Sequence, residues 1–221
     1  MSLPRVIAID GPVASGKSAV GTRLARRLGY GFLDTGLMYR GMTLAALRAG
    51  VGVEDEAALS RLADEVNLAA SVAAEGTRVT LGGEDITPLL RQAEVEGAVS
   101  QVSRVARVRQ RMVEQQRAIA REQPVVMVGR DIGTVVLPDA DLKVYLDAGI
   151  VERARRRYQE RVSDGEAVTL QEIEDALRNR DLIDSGREIS PLRAAEDAHI
   201  INTDGLTIDE VVAAIEKLIE E

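Results

Sequence analysis

Val6-Ile-Ala-Ile-Asp10-Gly11-Pro12-Val13-Ala14-Ser15-Gly16-Lys17-Ser18-Ala19 decides the reading of this chain, because an apolar run, a glycine-bounded loop and a helical pattern follow one another without a gap. Val6 to Asp10 is rich in β-branched residues and bounded by Pro4 and Gly11, as a buried parallel strand would be. From Gly16 to Leu28 the apolar residues Val20, Leu24 and Leu28 recur at every fourth position, and Gly29 supplies a stop, so a helix is expected. Between the two, Gly11-x-x-x-x-Gly16-Lys17-Ser18 has the spacing of a phosphate-binding loop in the context that such a loop requires. Small residues at Gly11 and Gly16 let backbone N–H groups converge on phosphate oxygens at the positive end of the helix. Lys17 adds a mobile charge, and the Ser18 hydroxyl is placed to bind a Mg²⁺ ion that bridges the outer phosphates. Gly11, Pro12, Val13, Ala14, Ser15, Gly16, Lys17, Ser18 and Ala19 therefore form a candidate triphosphate-binding segment, an ATP-binding one if the chain is a kinase; the loop by itself does not distinguish kinase, ATPase and GTPase.

Composition narrows the rest. A chain of 221 residues, 45% of them apolar, can bury one core, and its formal charge of -8 argues against a protein that coats nucleic acid. Cysteine is absent, which removes disulfides and thiol-based metal or redox chemistry. No leader-like start and no apolar run of about 18 residues is present, so a cytoplasmic protein without a membrane segment is expected, working as a monomer on small molecules.

Outward from the loop, Gly31–Asp34 reads as a second strand and Leu37–Ala49 as a helix ended by Gly50 and Gly52. The α/β alternation then breaks: Val66–Val72 and Arg78–Leu81 read as strands about a Glu75-Gly76 turn, with Gly82-Gly83 turning again before Asp85-Ile86. A long helical pattern covers Glu94–Arg121, apolar at Val102, Val105, Val108, Met112 and Ile119. Val125–Val128, Lys143–Leu146 and His199–Asn202 read as core strands, and Thr207 as the N-cap of a closing helix. The charged stretch 152–187 contains Ser163-Asp164-Gly165 and Asp184-Ser185-Gly186 as turn signals and reads as helices forming a movable cover. The expected fold is α/β, a doubly wound parallel sheet of the P-loop NTPase type with a small inserted antiparallel β segment and a helical lid.

A GTPase would carry an Asn-Lys-x-Asp base-reading motif, and none is present. A kinase that joins two anions needs charge neutralisation, because unit charges in contact repel by about 1 kcal/mol in water and several-fold more in a dry cleft. Guanidinium groups suit this task, and an acceptor that is already an anion needs no general base. His199 then needs no catalytic role. The cluster Arg153, Arg155, Arg156, Arg157 and Arg161 reads mostly as a solvated helix face, with Arg153 and Arg157 the candidates to touch ATP.

Several separate stretches resemble the bacterial-type cytidylate kinases: Leu33-Asp-Thr-Gly-Leu-Met-Tyr-Arg40, Ala98-Val-Ser-Gln-Val102 with Arg107-Val-Arg109, Gly129-Arg-Asp-Ile-Gly-Thr-Val-Val136, and Arg180-Asp-x-x-Asp-Ser-x-Arg187 with Ser190-Pro-Leu192. The resemblance implies that Thr35, Arg40, Arg130 and Arg187 bind the phosphate or ribose of CMP and that Asp184 reaches its sugar hydroxyls. It also implies that Ser100, Arg109 and Asp131 read the cytosine edge, where a 4-amino group needs an acceptor such as Asp131. Lys17, Arg130, Arg180 and Arg187 become the candidate catalytic residues, with Arg180 facing the transferring phosphates. The implied organisation is one kinase domain over 1–221, with a core (1–35, 119–150, 188–221), a nucleoside-monophosphate-binding region (36–118) and a lid (151–187). The implied activity, in pyrimidine nucleotide metabolism, is reversible transfer of the γ-phosphoryl group of ATP to CMP or dCMP, giving CDP or dCDP. Another P-loop small-molecule kinase and a non-catalytic ATP-binding module are the competing readings.

Two departures from the resemblance matter. Val128 stands where Asp is common, which removes a carboxylate from the metal's surroundings, and Ala14 stands where Gly is common, a change the loop tolerates if φ there is negative.

Overall fold

The computed structural model describes residues 3–220; Met1, Ser2 and Glu221, which the sequence reading assigns to the core, lie outside the described residues. The chain divides into two compact units, residues 1–24 with 128–221 and residues 25–127. One five-stranded parallel sheet takes the strand order β2 (Gly31–Asp34), β6 (Val125–Gly129), β1 (Val6–Asp10), β7 (Leu142–Asp147), β8 (His199–Asn202), and a second sheet takes the order β3 (Leu68–Ala73), β4 (Gly76–Leu81), β5 (Glu84–Asp85), the doubly wound core and antiparallel insertion that the sequence predicts. Among the described residues no helix is long and apolar enough to cross a membrane.

The first unit contains β1 (Val6–Asp10), the start of α1 (Lys17–Leu28), the end of β6 (Val125–Gly129), β7 (Leu142–Asp147), α6 (Ile150–Ser163), α7 (Leu170–Ser185), β8 (His199–Asn202) and α8 (Ile208–Glu220). β1 runs parallel to β7 with Asp10 opposite Tyr145, and β7 runs parallel to β8 with Asp147 opposite Asn202. Ile7, Ala8, Ile9, Val144 and Leu146 are buried, as strands covered on both faces should be. Thr207 caps α8 as expected: its Oγ1 accepts from the Glu210 N–H at 3.3 Å, while the Glu210 carboxylate accepts from the Thr207 N–H at 2.8 Å. Thr169 and Glu172 form the same reciprocal cap on α7.

Two expectations fail in this unit. β8 ends the sheet's strand order, and His199, Ile200 and Asn202 are exposed, so it is an edge strand; an apolar run cannot tell edge from centre. Asp184 and Ser185 lie in the last turn of α7, with Gly186 closing the helix at φ -83°, so the second turn signal is helical.

The second unit contains β2 (Gly31–Asp34), α2 (Thr35–Arg48), α3 (Glu56–Glu65), β3 (Leu68–Ala73), β4 (Gly76–Leu81), β5 (Glu84–Asp85), α4 (Ala93–Val102), α5 (Ala106–Glu122) and the start of β6. The Asp34 carboxylate accepts from the Gly36 N–H at 3.0 Å, which starts α2 at Thr35, two residues before the expected start. Gly82 and Gly83 both have positive φ and join Leu81 to Glu84, the primed two-residue turn that tight hairpins favour. The sequence reading misses α3, although Asp55 caps it by accepting from the Ala58 N–H and Leu59 and Ala63 bury one face.

The single helix expected over Glu94–Arg121 is two helices. Val95, Val99 and Val102 are buried on α4, and Val108 and Met112 on α5. A straight helix would turn Val108 about 140° away from Val95. An interruption at Ser103–Val105 lets both stripes face inward. Ser103 stabilises it by donating from Oγ to the Ser100 carbonyl at 3.1 Å.

Candidate active site

The loop from Gly11 to Gly16 needs its glycines. Gly11 has φ +149°, and a Cβ there would lie 2.1 Å from the Leu146 carbonyl oxygen, while Gly16 has φ +93°. Ala14 has φ +60°, so the condition of a negative φ is not met. The loop holds an alanine in left-handed backbone, at a cost of roughly 1–2 kcal/mol.

Lys17 is buried at the start of α1 and donates from Nζ to the Pro12 carbonyl at 2.6 Å and to Ser15 Oγ at 3.4 Å. Its ammonium therefore lies against the loop. Ser18 follows in the first turn, and its carbonyl accepts from Thr22 Oγ1 at 2.8 Å. Mg²⁺ takes few protein ligands when substrate phosphates complete its shell, so a lone hydroxyl at a helix N-terminus beside a phosphate cradle fits it. Among the described residues no cluster of three or more His, Cys, Asp or Glu side chains forms an all-protein metal cage.

Asp10, given no role in the sequence reading, anchors the other side. Its buried carboxylate accepts from the N–H of Ile132 at 2.8 Å and of Gly133 at 2.7 Å, gripping the turn that follows Arg130 and Asp131. In that turn the Leu137 N–H donates to the Ile132 carbonyl at 2.7 Å, a wide turn of a kind frequent at functional sites. Burial pushes the Asp10 carboxyl up to about 6, although the two N–H groups and Lys17 pull it down; Asp131 adds to the rise. The signal was present in the sequence as a carboxylate ending an apolar strand.

Arg130, Asp184 and Arg187, assigned separately, meet in the first unit. Asp184 accepts from Arg130 Nε at 2.7 Å and from Arg187 Nη2 at 2.5 Å, and Arg130 Nη1 donates to the Gly11 carbonyl at 3.3 Å. Burial raises the Asp184 pKa, but Arg130, Arg187 and Arg180 outweigh it and hold the carboxyl below its usual range. The three arginines thus gather about one buried carboxylate, and Arg130 extends from it to the phosphate loop. Asp131 is buried beside them, within electrostatic reach of Asp10.

The remaining candidates lie in the second unit. Thr35 is buried at the start of α2, and Arg40, one turn further on, pairs with Glu96 on α4 at 3.5 Å. Arg109 is buried on α5, its guanidinium 5.3 Å from the centre of the Tyr39 ring and its Nη1 3.3 Å from the Ser103 carbonyl. Ser100 lies one turn before Ser103 and contributes its carbonyl to the Ser103 hydroxyl. Thr35 and Arg40 on α2, Ser100 on α4 and Arg109 on α5 are thus presented by three helices of one unit. Glu96 and Ser103 were missed, having no signal beyond ordinary helix polarity.

A parallel sheet whose first strand runs through a glycine-bounded loop into a helix, with guanidinium groups beside that loop, defines a P-loop phosphotransferase. The cytidylate kinase family model matches residues 7–221, and the chain belongs to that family. It is 47% identical to a cytidylate kinase of Exiguobacterium sp. strain AT1b over 97% of this chain and 96% of that relative. It is 48% identical to a cytidylate kinase of Chloroflexus aggregans over 97% of this chain and 94% of the relative. A solved protein of Eubacterium ventriosum shares the fold at 12% identity, with a TM-score of 0.52 and 98% of each chain covered.

Proposed function

We propose that the chain transfers the γ-phosphoryl group of ATP reversibly to CMP or dCMP, giving CDP or dCDP, by direct in-line displacement without a phosphoenzyme. The observation that carries this reading, beyond family membership, is the Arg130–Asp184–Arg187 cluster, whose Arg130 also bonds the phosphate loop at Gly11. Guanidinium groups adjoining a phosphate cradle suit an acceptor that is itself a phosphate.

In this reading the backbone N–H groups of Gly11–Ala19, Pro12 having none, and the Lys17 ammonium bind the ATP phosphates. Arg180, Arg130 and Arg187 neutralise the charge of the transferring group and of the acceptor phosphate. Thr35 and Arg40 help to hold that phosphate, and Asp184 accepts from the ribose hydroxyls with the lone pairs its arginines leave. Ser100, Arg109 and Asp131 read the cytosine, Asp131 accepting from the 4-amino group. Ser18 would hold Mg²⁺, which supplies further charge neutralisation at the outer phosphates. Residues 36–118 serve the acceptor, and 151–187 act as the lid that excludes water and suppresses idle ATP hydrolysis.

A steady-state panel of CMP, dCMP, UMP, AMP and shikimate tests the proposal. CMP or dCMP should give the highest kcat/KM. A faster hydroxyl substrate would assign another small-molecule kinase, and tight ATP binding with no CDP formed from saturating CMP would leave an ATP-binding module.

A further inference from the structure

The two carbonyls that flank Ala14 are held from outside the loop. Arg153, buried on α6, donates from Nε to the Ala148 carbonyl at 2.9 Å and from Nη1 to the Val13 carbonyl at 3.2 Å. The same guanidinium pairs with Asp181 on α7 at 2.6 Å. On the far side, Arg156 donates to the Thr203 carbonyl at 2.5 Å and to Thr203 Oγ1 at 3.0 Å, and that hydroxyl shares its one proton between the Asp147 carbonyl at 3.1 Å and the Ser15 carbonyl at 3.3 Å. The residue between these held carbonyls is the alanine with φ +60°. Left-handed backbone at a residue with a Cβ persists only where its surroundings over-determine it, and here Arg153 of α6 constrains the Val13 side directly, while Arg156 reaches the Ser15 side only through Thr203.

We propose that Arg153 is a positioning residue for ATP: by holding the Val13 carbonyl it fixes the left-handed turn at Ala14, and through Asp181 it ties the phosphate loop to α7. The inference rests on reading Gly11–Ser18 as the ATP cradle. Arg153 then acts on the donor phosphates through the loop. Four of its five N–H donors go to Ala148, Val13 and Asp181, so its main hold is on the protein rather than on the nucleotide. The helix that carries Arg180 and Asp184 is joined to the cradle through the same side chain.

The test measures kcat and KM for both substrates in Arg153→Met, made with Ala14 retained and again together with Ala14→Gly. With Ala14 retained, KM for ATP should rise about tenfold while KM for CMP stays within about twofold, since a small misplacement of a binding element costs this much or more. In the Ala14→Gly background, where glycine adopts positive φ without strain, the rise should shrink to about threefold or less. Arg153→Lys, which keeps one donor for Val13, should fall between. The same rise in both backgrounds, or an equal rise in KM for CMP, overturns the proposal and leaves Arg153 a packing residue. Should Arg153→Met not fold, Asp181→Asn replaces it, with a smaller rise that again depends on residue 14; independence from residue 14 overturns the idea. Lys17→Ala separates the two levels. If it leaves KM for ATP and turnover intact, the cradle reading itself is wrong; if it cripples the enzyme while Arg153→Met acts equally on both backgrounds, only the brace is wrong.

Discussion

The phosphate loop of the first unit and the candidate residues of the second are built by different means. In the first, the phosphate loop is made of backbone: Gly11 lies where a Cβ would strike the Leu146 carbonyl, Gly16 has positive φ, and Lys17 folds over the loop's own carbonyl. In the second, the candidate residues Thr35, Arg40, Ser100 and Arg109 are side chains presented by three helices, and nothing in their backbone is unusual. A backbone device constrains which residues follow one another, so it leaves a local pattern in the sequence. A side-chain device constrains only what meets in space.

Substitutions within the first unit should divide in the same way, between the backbone-built cradle and the side chains beside it. Lys17→Ala has the largest expected effect, a fall in kcat of about a hundredfold or more with CMP binding retained, because a charge aimed at the transferring phosphates is lost. Steady-state kinetics with a separate CMP titration checks this. Arg130→Ala should lower kcat and raise KM for CMP together, with kcat/KM down by about a hundredfold, since the side chain bridges Gly11 and the Asp184 cluster. A loss confined to KM for ATP would place Arg130 with the donor alone. Asp131→Ala should act on selection, reducing the preference for CMP over UMP by about tenfold while UMP turnover changes little. Equal rates for the two nucleotides in the unaltered protein would remove the basis for that role.

Two smaller effects test the backbone half through stability. Asp10 has its pKa raised from 3.8 to about 6, chiefly by burial, so between these values the folded chain holds a proton that the unfolded chain has lost. Its stabilising contribution is complete below about pH 4 and lost as pH rises through about 6. The stability of the unaltered protein minus that of Asp10→Asn should therefore fall by an amount on the order of 3 kcal/mol across this window and then level off. Denaturant unfolding at several pH values measures it, and a difference independent of pH would rule out the assigned titration. Ala14→Gly should raise stability by about 0.5–1 kcal/mol, the relief of left-handed strain less the greater freedom of glycine in the unfolded chain. A loss of stability would show that the turn at Ala14 is unstrained.

The same division explains what could be read in advance. β1, the loop and α1 were legible because period, glycine spacing and a stop coincide within a short stretch. The Gly82-Gly83 hairpin was legible for the same reason. The break at Ser103 was not, because no Gly or Pro marks it; two buried stripes that drift apart around a helix impose it. The edge position of β8 depends on which strands neighbour it, and Ile200 looks alike in either setting. At the site, family resemblance named Arg130, Asp184 and Arg187 individually, but their common carboxylate and the tie to Gly11 are tertiary facts. The brace of Arg153 and Arg156 on the loop is another: the sequence offered Arg153 as a candidate ATP contact and Arg156 as part of a solvated arginine face, and only the fold turns them toward the Val13 carbonyl and Thr203.

The central claim is that the phosphate cradle and the arginines beside it move a phosphoryl group directly between two bound nucleotides. The most direct test follows ATP labelled in its γ-phosphate, incubated with the protein and CMP and then separated from it. The account predicts that the label appears in the terminal phosphate of CDP, in step with ADP formed and with none retained on the protein. Label released as inorganic phosphate without CDP, or carried on the protein itself, would contradict it.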